Sequence, residues 1–230
     1  MIVDVMTLFP EIFEVMKLGV VGRSIRSGLI DFKCHQIRDF SDDKHNRVDD
    51  YPFGGGEGMI MMAEPIFKTF EHIKSIRNRS PFVIMMSPKG KVLNQQIVKD
   101  ISKIDNLCIL CGRYEGIDQR LIDEIVDEEI SVGDYVLSGG EFAALVFLDS
   151  IFRVLPGVLS SEKSFQNESH YNGLLEHPQY TRPQIWHNKK VPDVLLSGNH
   201  QEISNWKKQQ SIIITRKMRP DLTTDGKGKE

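Results

Sequence analysis

Cysteine is scarce in this chain: Cys34, Cys108 and Cys111 are the only three among 230 residues. An odd number, and too few for a disulfide framework, favours a reducing cytoplasm. Cys108 and Cys111 do make a C-x-x-C, but within the apolar run "NLCILCG". A strand points positions three apart to opposite faces, so this reads as a buried strand rather than a metal or redox pair. Long hydrophobic runs are missing too. No stretch reaches the ~18 apolar residues of a membrane span, and the opening "MIVDVMTLFPEIF" lacks the basic head of a signal peptide. Neither a Walker A sequence nor a G-x-G-x-x-G fingerprint occurs, so the common phosphate and dinucleotide loops drop out. Net charge is only −3, which does not advertise nucleic-acid binding.

What is present suits a globular chain with one good core and a smaller second unit: 40% hydrophobic and 27% charged residues. The charge is unevenly spread. Residues 1–175 carry 19 Lys and Arg against 26 Asp and Glu, whereas residues 176–230 carry 10 against 6. A basic tail on an acidic body fits a polyanion gripped by the tail with chemistry elsewhere; it also fits an ordinary solvated basic helix.

Along the chain, "IVDVMTLF" reads as a strand stopped by Pro10, followed by a helix with Ile12, Phe13, Val15 and Met16 as its stripe. "LIDFKCHQIRDF" is a second strand. A long polar loop follows, with Gly54, Gly55, Gly56 and Gly58, suited to flexibility or to close approach of backbone to a ligand. One pattern then repeats three times: an apolar run, a glycine turn and a helix. The runs are "PFVIMM", "NLCILC" and "EISV"; the turns are "SPKG", "GRYEG" and "GDYVLSGG". The helices start near Asn94, Asp118 and Glu141, the last running to Arg153. Continuous apolar strands alternating with helices imply a parallel sheet of the α/β class. Three glycine turns on one carboxyl edge point to a small-molecule site there. From Leu155 to Gly173 the chain is polar and Ser-rich, a linker or mobile loop. A helix is expected from about Gln201 to Arg216 with Asn199 as N-cap, and "DLTTDGKGKE" is a tail.

Eight segments in order, "LFP", "VDDYPFGGGEGM", "SPKG", "CGRYEGID", "VGDYVLSGGE", "RVLPGVL", "LLEHPQYTRP" and "LSGNHQEISNWK", cover Leu8 to about Pro220. Together they closely resemble the TrmD family of bacterial tRNA (guanine-N1)-methyltransferases, of the SPOUT class. The resemblance implies a deep trefoil knot in the parallel-sheet layer fold and a small helical C-terminal domain. The expected divisions are a knotted catalytic domain over 1–158, a linker over 159–173 that carries a catalytic residue, and a helical tRNA-binding domain over 174–230. It implies S-adenosylmethionine held by Met86, Ser87, Gly112, Val132, Gly133, Asp134, Tyr135, Val136, Leu137, Gly139 and Gly140, with Glu115 facing the target base.

The reaction so implied is methyl transfer to N1 of the guanine immediately 3′ of the tRNA anticodon. Guanine N1 is protonated at neutral pH, so a base must take that proton, and charge then grows towards O6. By the family pattern Arg153 meets that charge. The family usually places an Asp as base; here the position holds Glu168, one methylene longer, with Glu115 and Glu176 as the other carboxylates to consider. Lys207, Lys208, Arg216 and Lys217 suit phosphates of the anticodon arm, and His45, Arg47, Asp49 and Asp50 its bases. The family is homodimeric with a composite active site and is described as magnesium-dependent; no local carboxylate cluster spells a metal site. Rival readings are a SPOUT methyltransferase acting on another RNA, a non-catalytic RNA-binding protein of the same fold, and a nucleotide-binding metabolic enzyme.

Overall fold

The strands form where the apolar runs lie. In a computed structural model, which describes residues 1–159 and 168–223, they are β1 (Ile2–Thr7), β2 (Asp31–Gln36), the short β3 (Asp49–Asp50) and β4 (Ile60–Met61), then β5 (Phe82–Val92), β6 (Asn106–Cys111) and β7 (Glu128–Ser131). Five of them make one parallel sheet in the order β2-β1-β6-β5-β7, and β3 pairs with β4 antiparallel. β6 is central and buried at every position, as a strand covered on both faces must be.

Helices cover both faces. α1 (Gly19–Arg26), α3 (Gln95–Ile101) and α5 (Gly140–Phe152) pack on one side through Val21, Val98, Ile101, Phe147 and Ile151. α2 (Ala63–Arg77) and α4 (Gln119–Ile125) pack on the other through Ile66, Phe70, Ile73, Leu121 and Ile125. Cys111 belongs to the first core and Cys108 to the second, so the C-x-x-C is split across the sheet. Burial pushes both thiols well above their usual range.

Two local expectations change. Residues Pro10–Lys17 form a 3₁₀ helix instead of an α-helix. At three residues per turn Phe13 and Met16 line up and are buried, while Val15 turns outward. α2, absent from the sequence reading, carries apolar residues at 66, 70 and 73, one face of a helix that starts with Pro65 in its first turn.

A charge sits inside the second core. Asp4, fully buried on β1, accepts from His35 Nε2 at 2.7 Å and from Arg77 Nε and Nη2 at 2.9 and 3.1 Å; Arg77 also bridges to Asp31. Burial alone would raise the Asp4 carboxyl, but the His35 and Arg77 hydrogen bonds outweigh it and hold the group below its usual value. A carboxylate with a lowered folded pKa contributes stability above its unfolded value of about 4, lost as pH falls through the folded one. Arg77→Met should therefore cost roughly 3 kcal/mol at neutral pH and move acid unfolding to higher pH. Urea titrations across pH 2–7 check this, and an unshifted acid transition would count against it.

The chain divides into two compact units, Met1–Ser160 and Ser161–Glu230. Most of the expected linker (160–167) and most of the tail (224–230) lie outside the described residues. In the second unit, β8 (Ile185–Trp186) and β9 (Lys189–Lys190) form a hairpin whose turn residues His187 and Asn188 both have positive φ. α6 (His200–Met218) is capped by Asn199, whose Oδ1 accepts from Gln201 and Glu202 N–H groups at 3.2 and 3.3 Å. Thr215 Oγ1, fully buried, accepts from Leu175 N–H at 2.8 Å and ties the preceding chain to α6.

Candidate active site

The carboxyl ends of β5, β6 and β7 open onto one cavity of about 470 Å³. Its walls are the three glycine turns. Within β5 the strand bulges at Ser87–Gly90: Met86 and Lys91 both pair with Ile130, and Ser87, Pro88 and Lys89 between them line the cleft. Gly90 lies so close to β7 that a Cβ would sit 2.4 Å from the Glu129 carbonyl carbon. No other residue fits there.

After β6 the chain turns through Gly112–Ile117, and the glycine loop ending in β4 runs along this turn. Glu115 N–H donates to Met59 O at 3.0 Å, Met61 N–H to Gly116 O at 2.9 Å and Asp118 N–H to Met61 O at 3.1 Å. Tyr114 takes a left-handed φ of 59°, uncommon for a non-glycine residue, and its hydroxyl accepts from Arg38 Nη2 at 3.3 Å.

After β7 the chain passes through Val132–Gly139 and begins α5 against β6. Gly140 N–H donates to Gly112 O at 2.8 Å, and a Cβ on Gly140 would meet Cys111 Cα at 2.9 Å. A buried ion pair fastens this loop. Glu141, fully buried, accepts from Arg113 Nε at 2.8 Å and from Thr7 Oγ1 at 2.9 Å; Arg113 Nη1 donates to Ser138 O at 3.1 Å. The guanidinium lies over the Phe9 ring, 4.5 Å from its centre. The sequence reading missed this clamp. Its signal was a Glu in the first turn of the otherwise apolar "GEFAALVFLDSIF".

Met86, Ser87, Gly112, Val132, Gly133, Tyr135, Val136, Leu137, Gly139 and Gly140 all line the cavity, as does Glu115; Asp134 does not. Arg153 lies at the far end of α5, beside a second, apolar groove lined by Val15, Leu18, Leu145 and Val146. Glu168 belongs to the second unit, where its carbonyl accepts from Tyr171 N–H. Asp49 and Asp50 form β3. Arg47 pairs with Asp43 at 2.8 Å, and His45 N–H donates to the same carboxylate at 2.8 Å. The hydrogen bonds to Arg47 and His45 hold the Asp43 carboxyl well below its usual range. Lys207, Lys208, Arg216 and Lys217 are all exposed on α6. Among the described residues, no group of three or more His, Cys, Asp or Glu is placed to hold a metal, so the expected magnesium finds no donor set there. No helix among them is long and apolar enough to cross a membrane.

An α/β protein with a backbone-walled cleft on its carboxyl edge is built to take a small molecule. The model of the family described as tRNA (Guanine-1)-methyltransferase TrmD matches residues 1–225. Proteins described as tRNA (guanine-N(1)-)-methyltransferase are similar over almost the whole chain. That of Ruminiclostridium cellulolyticum is 55% identical, covering 95% of this chain and 94% of its own. That of Clostridioides difficile is 52% identical, covering 95% of each. That of Alkaliphilus oremlandii is 49% identical, covering 98% and 93%. The chain belongs to the tRNA (guanine-1)-methyltransferase family. Membership implies S-adenosylmethionine as methyl donor, and the cleft fits it: the volume is ordinary for such ligands, and Gly112, Gly139 and Gly140 stand among the residues that line it.

Proposed function

We propose that this cleft is where the enzyme methylates N1 of the guanine immediately 3′ of the tRNA anticodon. The observation that carries the reading is the convergence of three glycine turns on one cavity at the carboxyl edge of the sheet. S-adenosylmethionine, when bound, supplies an electrophilic methyl group. The protein's part is alignment and proton removal. The backbone of Gly112 and of residues 132–140 holds the donor, and Glu115, exposed on the cavity rim, faces the guanine. Glu168 takes the N1 proton and Arg153 meets the charge growing on O6.

The trefoil knot belongs to the same reading. Its support is that the chain leaves β7, beyond β5 in the sheet order, yet starts α5 against Cys111 and Gly112 at the end of β6. A homodimer belongs to it too. The cleft reaches Ala143 on α5, so at 1.5 Å per residue Arg153, ten residues on, stands ~15 Å along the helix from it. One chain does not bring its own Arg153 to its own cavity; a second copy packed along α5 can. Phe142 and Val146 on α5 are 54% and 56% exposed, and Leu18 beside them 68%, an apolar face suited to that packing. The basic residues of α6 grip the anticodon arm through phosphates, and the cytoplasm, where tRNA is found, is the proposed location.

The test is methyl transfer from labelled S-adenosylmethionine to unmodified tRNA transcripts, with a matched transcript lacking the guanine 3′ of the anticodon. Labelling should require that guanine and should fall ~100- to 10,000-fold in Glu168→Gln, the range of a lost general base. Labelling that persists in the variant moves the base elsewhere. No labelling of any tRNA overturns the reading.

A further inference from the structure

The loop between β3 and β4 carries two aromatic rings that the chain leaves uncovered. Tyr51 is 79% exposed and Phe53 100%. A tight turn presents Phe53: Gly55 N–H donates to Pro52 O at 3.3 Å, which puts Phe53 at the first corner and Gly54 at the second. Gly54 has a φ of +89°, the value that glycine supplies at the second corner of such a turn. The loop closes where Asp50 pairs with Ile60. That base stands at the cleft, since Ile60 lines the cavity and Met59 O accepts from Glu115 N–H at 3.0 Å. Phe53 is three residues from Asp50, so the two Cα atoms lie within ~11 Å of each other. Charge limits what this loop offers to RNA. Between Val48 and Phe67 there are Asp49, Asp50, Glu57 and Glu64, and no Lys or Arg. Such a segment repels phosphates, which leaves the bases as its partners.

We propose that Phe53 stacks on the base next to the target guanine once that guanine has left the anticodon-loop stack, an assignment that rests on the cleft being where N1 is methylated. An enzyme that does chemistry on a base takes the nucleotide out of its stack and into the pocket. The move uncovers one face of the neighbouring base. Apolar and aromatic side chains placed at such a step restore the lost contact. Phe53 is placed for this. Its backbone lies no further from the base of the loop than about three stacked bases at 3.4 Å each, the range in which a neighbour of the guanine stands. The ring does not line the cavity, so it does not compete for the cofactor. Every base has a face to stack on, so Phe53 keeps the strand open without reading which base lies beside the guanine. The neighbouring carboxylates keep the phosphates away from the ring.

Methyl transfer to unmodified tRNA by the full chain and its Phe53 variants tests this. In Phe53→Ala, kcat/KM should fall ~5- to 150-fold, the range of a lost base–aromatic stack. It should stay low in Phe53→Leu, which keeps apolar bulk without a ring face, and return in Phe53→Tyr. Melting temperature and S-adenosylhomocysteine affinity should not move, because the side chain is exposed and lies outside the cavity wall. Ligated transcripts with an abasic nucleotide just 5′ or just 3′ of the guanine identify the partner. On one of them the Phe53→Ala penalty should vanish, since the base that the ring covers is already gone. A wild-type rate in Phe53→Ala, a rescue by Phe53→Leu equal to that by Phe53→Tyr, or a penalty that persists on both abasic RNAs overturns the assignment while the cleft stands. A Phe53→Ala chain that sediments as a different oligomer from wild type also overturns it, by giving the ring to a second copy. If wild type labels no tRNA, the reading of the cleft falls and takes the assignment with it.

Discussion

Mixed dimers of a Glu115→Ala chain and an Arg153→Ala chain should recover methyl transfer that neither chain shows alone. Glu115 borders the cleft, whereas Arg153 stands at the opposite end of α5, beside the apolar groove. If a site takes its cleft from one copy and its guanidinium from the other, each homodimer has two incomplete sites. A heterodimer then has one intact site, because the Arg153→Ala chain offers its good cleft to the good Arg153 of its partner. Random pairing makes half the dimers mixed and half of their sites whole, so about a quarter of wild-type activity should return. If both groups acted within one chain, mixing would restore nothing. Differently tagged, co-expressed chains purified over both tags would raise the yield to about one half and sharpen the contrast.

The Arg113–Glu141 clamp should give the largest effect on stability. Glu141 is fully buried and Arg113 only 19% exposed, so Glu141→Ala strands a guanidinium in the core. Removing one member of a buried pair costs about 3–5 kcal/mol. For a chain of this size that lowers the melting temperature by roughly 10 °C. Cofactor affinity should fall with it, since Arg113 also holds Ser138 O at the cavity wall. Arg113→Met with Glu141→Leu replaces both charges by apolar groups and should regain much of the stability, as buried pairs often allow. It should not regain binding, because the 132–140 loop has lost its anchor. Calorimetric melting with and without S-adenosylhomocysteine separates the two; a double variant that binds normally would reduce the clamp to a packing detail.

The sheet was legible because its strands are continuous apolar runs with glycine at their exits, and a central parallel strand such as "NLCILC" has few other readings. The 3₁₀ segment at Pro10–Lys17 was not legible, since Ile12, Phe13, Val15 and Met16 fit a 3.6-residue period as well as a three-residue one. At the candidate site, glycines advertised the turns, whereas charged residues gave little sign of their place. Glu141, Asp4 and Glu129 all look solvated in sequence, and only tertiary packing puts the first two in the core and the third at the cleft. Arg153 is the converse case. Its neighbourhood in the sequence is plain, yet its distance from the cleft depends on which way α5 runs.

The strand order also bears on how the chain is made. β1 pairs with β2 on one side and with β6 on the other. Between the end of β2 and the end of β6 a ribosome must add the residues from 37 to 111, which at ~5–20 residues per second takes roughly 4–15 s. During that interval the inner edge of β1 has no neighbour. An inward-pointing charge on an open edge discourages a foreign strand from adding to it. Asp4 places such a charge mid-strand, and Arg77, which neutralises it, emerges about 70 residues later at the end of α2. In the finished sheet that edge is covered by β6, and the Asp4 charge is neutralised by Arg77.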